Sequence, residues 1–94
     1  MVSAEDRLAR EAAVTASRSG DEAVLVLPAL GQIKVLNEVG MRVWDLLDGS
    51  RSAAQIADVI CSEYEVGPEQ ALSDVLVFLT ELRGKGLLHP VVGA

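Results

Sequence analysis

Short apolar runs set between turn residues occupy the first third of the chain, and the apolar spacing then changes from that of strands to that of helices. Residues 12–18, AAVTASR, and 22–27, EAVLVL, are bracketed by Ser19, Gly20, Asp21 and Pro28. These residue types favour turns for backbone reasons, so the two runs predict a hairpin. A second turn, Pro28-Ala29-Leu30-Gly31, leads into QIKVL, residues 32–36, a third short strand. Connections this tight make the sheet antiparallel.

At Asn37 the pattern turns helical without a spacer. An Asn side-chain oxygen can accept from a free N–H of a first turn, and Val39, Val43, Leu46 and Leu47 follow at helical spacing as far as Gly49. In SAAQIADVICSEY, residues 52–64, Ser52 and Gln55 have capping-box spacing. Ala53, Ile56, Ala57, Ile60 and Tyr64 then share one side of a second helix. Pro68 marks a third start, since a proline there gives up only an N–H that would be unpaired anyway. That helix is predicted to run to about Arg83, stopped by Gly84 or Gly86. Residues 87–94, LLHPVVGA, add a short extended piece. Residues 1–11 carry charge without an apolar face and predict a mobile arm or a fraying helical turn, which leaves 12–94 as the folded domain. The order βββααα in one α+β domain is the coarse result.

On the third helix, at about 100° per residue, Leu72, Val75, Leu76, Leu79 and Arg83 point in one direction, the predicted core face. Ala71, Phe78 and Leu82 lie roughly 60–100° to one side. The resulting arc of about 160° is wider than packing on one neighbour requires, so it can serve two surfaces.

Composition narrows the function. Half of the 94 residues are hydrophobic but only 3% are aromatic, which makes Trp44, Tyr64 and Phe78 conspicuous. Eight Lys+Arg against 14 Asp+Glu give a net charge of −6. Such a surface repels nucleic-acid phosphates and anionic membranes. With one cysteine, Cys61, and one histidine, His89, neither an internal disulfide nor a zinc ligand set can form. The N-terminus lacks the apolar core of a signal peptide, and no apolar run reaches the roughly 18 residues of a membrane span. A soluble protein of the reducing cytoplasm is expected.

No catalytic set assembles from the sequence: the carboxylates fall at helix starts and on polar faces, and Cys61 has no neighbouring cation to lower its pKa. The expectation is a protein that is not an enzyme and needs no cofactor or metal.

The elements AVLVLP, LNEVG, WDLLDG, IADVICSEYEV and DVLVFLTELRGKGLL, in this order and spacing over residues 12–88, resemble the PqqD-like family, also called RiPP recognition elements. The resemblance implies a winged helix-turn-helix-like arrangement of a three-stranded antiparallel sheet followed by three helices. It also implies a non-catalytic adaptor that binds the leader segment of a ribosomally synthesised precursor peptide. The leader would add as a strand to the third strand and lie in the groove beside the third helix. The implied site is Gln32, Ile33, Lys34, Val35 and Leu36 on the strand, with Ala71, Asp74, Val75, Phe78 and Leu82 on the helix. The implied partners are the leader and a modifying enzyme, namely a radical-SAM enzyme, a leader protease or a cyclase.

The residues support this independently, because QIKVL contains no proline to block pairing along an exposed edge. Trp44 is expected to be packing, and Lys34 a solvated strand lysine with an acidic leader residue as its alternative partner. The competing function is a winged-helix DNA-binding regulator. Its recognition helix would present Arg83 against Glu69, Asp74 and Glu81, a net negative charge facing phosphates.

Overall fold

In a computed structural model describing residues 1–92, apolar alternation builds the first layer of the fold. Strands β2 (Thr15–Ser19), β3 (Glu22–Leu27) and β4 (Gln32–Leu36) form an antiparallel sheet in the order β2-β3-β4. Ala23, Leu25 and Leu27 of β3 are buried while Val24 and Val26, between them, are only half-buried. One face of the sheet therefore carries the core, as period-two side chains require. β3 is paired on both sides, which leaves β4 an edge strand. Its register sets Leu36 opposite Ala23 and Ile33 opposite Val26. A single 3-10 turn, Pro28–Leu30, links β3 to β4 and closes at Gly31 with φ 62°.

The helix starts are local. Asn37 Oδ1 accepts from the Gly40 N–H at 2.8 Å and opens α1 (Glu38–Leu46). Ser52 Oγ accepts from Gln55 N at 3.2 Å, while Gln55 Oε1 accepts from Ser52 N at 2.8 Å, a complete capping box for α2 (Ala53–Glu63). Pro68 begins α3 (Pro68–Gly84). Gly86 follows with φ 77°, where a Cβ would come within 2.8 Å of Leu30 Cδ1. Both the backbone angle and the space favour glycine there.

The expected single sheet is corrected to two. Strands β1 (Arg7–Arg10), β5 (Asp48–Ser52) and β6 (Leu88–Pro90) form a second antiparallel sheet in the order β5-β1-β6. Arg7 stands opposite Ser52, and Ala9 opposite His89. α1 consequently ends at Leu46, before the expected Gly49, because Asp48 already belongs to β5. The expected arm at 1–11 is corrected as well. Leu8 is 2% and Val2 6% exposed, so both belong to the core. The carbonyls of Asp6 and Ala4 accept from Ala53 N and Ala54 N, each at 2.9 Å, and so satisfy free donors of the first turn of α2. Gly93 and Ala94, the last residues of the expected domain and tail, lie outside the described residues.

These contacts make Leu8→Ala informative, since removing a fully buried leucine typically costs about 2–5 kcal/mol of stability. A urea midpoint lowered by that amount is expected. An unchanged midpoint would mean that the N-terminal strand lies outside the cooperative unit.

The core between the layers is apolar among the described residues, with Leu25, Leu36, Leu47, Ile56, Leu79, Leu82 and Leu87 inaccessible or nearly so. Trp44 lies within it at 5% exposure, as expected of packing. On α3 the buried positions are Ala71, Val75, Leu79 and Leu82. Leu72 and Leu76 are half-buried and Arg83 is exposed. The core face is therefore rotated by roughly 60° from the expected direction, toward Phe78. A helix covered on more than one side buries the residues at the junction of its neighbours, and helical spacing alone does not locate that junction.

Candidate leader-binding cleft

The rotation of α3 decides what surrounds β4. Lys34 Nζ reaches across to Glu81 Oε1 at 2.6 Å, tying the edge strand to the helix. Beyond this bridge, toward the end of β4 and the start of α3, a cleft of about 430 Å³ opens. Its strand side is Lys34, Val35 and Leu36, and its helix side is Ala71, Asp74, Val75 and Phe78. Ala71 and Val75 are 1% and 3% exposed and form a floor, whereas Phe78 is half-buried.

The far end is closed by residues that the sequence did not assign to the site. Asn37, Val39, Gly40 and Val43 come from the start of α1. Gly40 brings that turn close to β4, since a Cβ there would stand 3.4 Å from Leu36 Cβ. Ile60, Tyr64 and Val66 come from the end of α2 and the segment after it. Arg42 Nε and Nη2 donate to the two carboxylate oxygens of Glu63, each at 2.7 Å, which couples α1 to α2 next to Tyr64. The same bonds hold the Glu63 carboxyl below its ordinary range.

Of the ten residues expected at the site, seven border the cleft: Lys34, Val35, Leu36, Ala71, Asp74, Val75 and Phe78. Leu82 is corrected to core, fully buried at 0% exposure by the same rotation that leaves Arg83 exposed. Ile33 projects from the opposite face of the sheet, beside Val26, and is 61% exposed. Gln32 is half-buried opposite Leu27, beyond the cleft. Lys34, expected as a solvated strand lysine, keeps 25% of its side chain exposed and pairs with Glu81 at 2.6 Å. Among the missed residues, the aromatic Tyr64 at the end of an amphipathic helix was the available signal.

The cleft has no reactive centre. Its ionisable side chains are Lys34, Asp74 and Tyr64, none set against a nucleophile. Among the described residues no group of three or more His, Cys, Asp or Glu side chains stands close enough to hold a metal ion. No described helix is long and apolar enough to cross a membrane. What the arrangement offers is an unpaired strand edge beside an apolar hollow with polar groups at its rim. An extended peptide can use both at once: its backbone pairs with the edge, and every second side chain turns toward the helix.

Known proteins share this construction. A PqqA binding protein of Bradyrhizobium diazoefficiens is 31% identical over 65 residues, which cover 69% of this chain and 63% of that protein. The chain thus spans somewhat under two thirds of that relative's length. The solved structure of TbiB1 in complex with the TbiA(beta) leader peptide superposes with a TM-score of 0.76 at 34% identity, covering 90% of this chain and 99% of that one. Lasso peptide synthetase B1 complexed with the leader peptide does so with a TM-score of 0.74 at 28% identity, covering 93% of this chain and all of that one (100%). The family model for coenzyme PQQ synthesis protein D (PqqD) matches residues 22–88, from β3 to the start of β6 and so across both walls of the cleft, and the chain belongs to the PqqD family.

Proposed function

We propose that this domain is a non-catalytic adaptor that binds the leader segment of a ribosomally synthesised precursor peptide and presents it to a modifying enzyme. One observation carries the proposal: the free edge of β4 runs beside an apolar cleft that is bounded on the other side by α3. The leader adds as a fourth strand next to β4, pairing with the backbone of residues 32–36. Its alternate side chains enter the cleft against Ala71, Val75 and Phe78. Leader complexes of TbiB1 and of lasso peptide synthetase B1, and the naming of a relative as a PqqA binding protein, support this mode.

The client enzyme is a radical-SAM enzyme, a leader protease or a cyclase, and the setting is the reducing cytoplasm, in keeping with the single free Cys61. The arrangement of α2 and α3 beside a hairpin is winged-helix-like, but the helix that would read DNA carries Glu69, Asp74 and Glu81 against Arg83. That charge favours a peptide over phosphates. The binding unit takes in the N-terminal strand as well as residues 12–94.

Calorimetric titration of the domain with candidate leader segments of roughly 10–20 residues tests the proposal. Strand addition with one or two apolar anchors predicts a dissociation constant between about nanomolar and low micromolar. It also predicts only a weak dependence on salt. Absence of heat with every candidate precursor would overturn the adaptor function. Retention on duplex DNA with a steep loss of affinity in salt would replace it with the regulator.

A further inference from the structure

Charge in the groove is unevenly matched. Two ionic side chains line it, Lys34 from β4 and Asp74 from α3, and Glu81 of α3 reaches Lys34 from outside the lining. Lys34 and Glu81 neutralise each other at 2.6 Å. Among the described residues Asp74 has no such counterpart: its hydrogen bond comes from the neutral Gln70 amide, whose Nε2 donates to Oδ1 at 2.7 Å. A carboxylate without a cationic partner thus stands at the rim of a largely apolar cleft, in a chain whose net charge is −6. Leaving one charge without a partner beside apolar walls is unfavourable once a bound peptide has excluded water from the rim.

We infer that the cognate peptide carries a lysine or arginine next to its apolar anchor, two residues away along the strand, and that Asp74 is the residue that selects it. The inference rests on the leader-binding function proposed above and specifies which leader fits. The spacing follows from two repeats. Residues two apart in an extended strand share a face and are separated by about 6.6 Å. Asp74 and Phe78 are one helical turn apart, which is about 5.4 Å along the axis. A side chain packed on Phe78 and Val75 therefore puts its second neighbour at the level of Asp74. The Lys34–Glu81 bridge limits the other end of the cleft, so the cation has one place to pair.

The test is selection from a displayed library of random twelve-residue peptides on the immobilised chain, repeated with Asp74→Lys and, as a control outside the cleft, Asp58→Asn. Asp74 and Asp58 are both exposed, and Asp58, on α2, is not among the residues lining the cleft, so neither substitution threatens the core. Enriched peptides are expected to share an apolar anchor with Lys or Arg two positions away. Asp74→Lys should exchange that preference for Asp or Glu while keeping the anchor, and Asp58→Asn should leave it in place. For one selected peptide, Asp74→Asn should lower affinity by roughly two- to fivefold, the range of an exposed ion pair. A peptide with norleucine in place of its cation should show no such difference between the two proteins.

Anchors enriched without any charge preference would overturn the inference and leave leader binding standing. So would a preference that survives Asp74→Lys, or one lost equally in Asp58→Asn. No enrichment of any peptide would overturn leader binding itself.

Discussion

Leu79→Asp is expected to leave the chain unfolded. Leu79 is 1% exposed, lies on the buried face of α3 between Val75 and Leu82, and belongs to the common core of both layers. Shortening a buried leucine to alanine already costs about 2–5 kcal/mol. Aspartate adds an unpaired charge, and no buried polar group lies in the described core to receive it. The whole stability of a domain this size is only about 5–15 kcal/mol, so the sum of the two penalties reaches or exceeds it. Far-ultraviolet circular dichroism should report loss of the helical signal, and urea titration should show no cooperative transition. Leu79→Met, which conserves volume, should fold with a loss below about 1.5 kcal/mol. A cooperatively folded Leu79→Asp would mean that α3 can turn its buried face outward, and the described packing would be wrong.

The next residue along the same helix should behave differently. Phe78→Ala is expected to keep the helical signal and to weaken leader binding by about 1–3 kcal/mol, as truncation of an aromatic anchor does. Phe78 is half-buried: its ring packs against the core on one side and borders the cleft on the other. Its removal should therefore cost less stability than the about 3–5 kcal/mol typical of a fully buried phenylalanine. The urea midpoint and the leader affinity of the folded protein must be measured together. A loss of about 3–5 kcal/mol in stability with unchanged affinity would make Phe78 a core residue and remove it from the cleft.

The contrast between Leu79 and Phe78 reflects what each kind of information specifies. Strands β3 and β4, the cap at Asn37, the capping box at Ser52 and the proline start of α3 were legible in the sequence with their residues. Each depends on hydrogen bonds, dihedral preferences or apolar spacing among residues within about one turn or one hairpin of each other. The wide apolar arc on α3 was equally legible, and with it the presence of Phe78 on a flank.

Tertiary structure decided the rest. β1, β5 and β6 are strands of four, five and three residues taken from the start, middle and end of the chain. β1 and β5 carry too little alternation to announce themselves, β6 was expected only as a short extended piece, and each becomes a strand because the others supply its hydrogen-bond partners. The rotation of the α3 core face sent Leu82 inside and brought Asp74 and Phe78 to the cleft. It follows from where α3 meets its neighbours, a relation between surfaces far apart in sequence. Val39, Tyr64 and Val66 enter the same hollow for that reason. Local rules settle which residues form an element and which of them are apolar. Only the packing of distant elements settles which apolar residues are covered and which remain open to a partner, because burial is a property of the assembled surface.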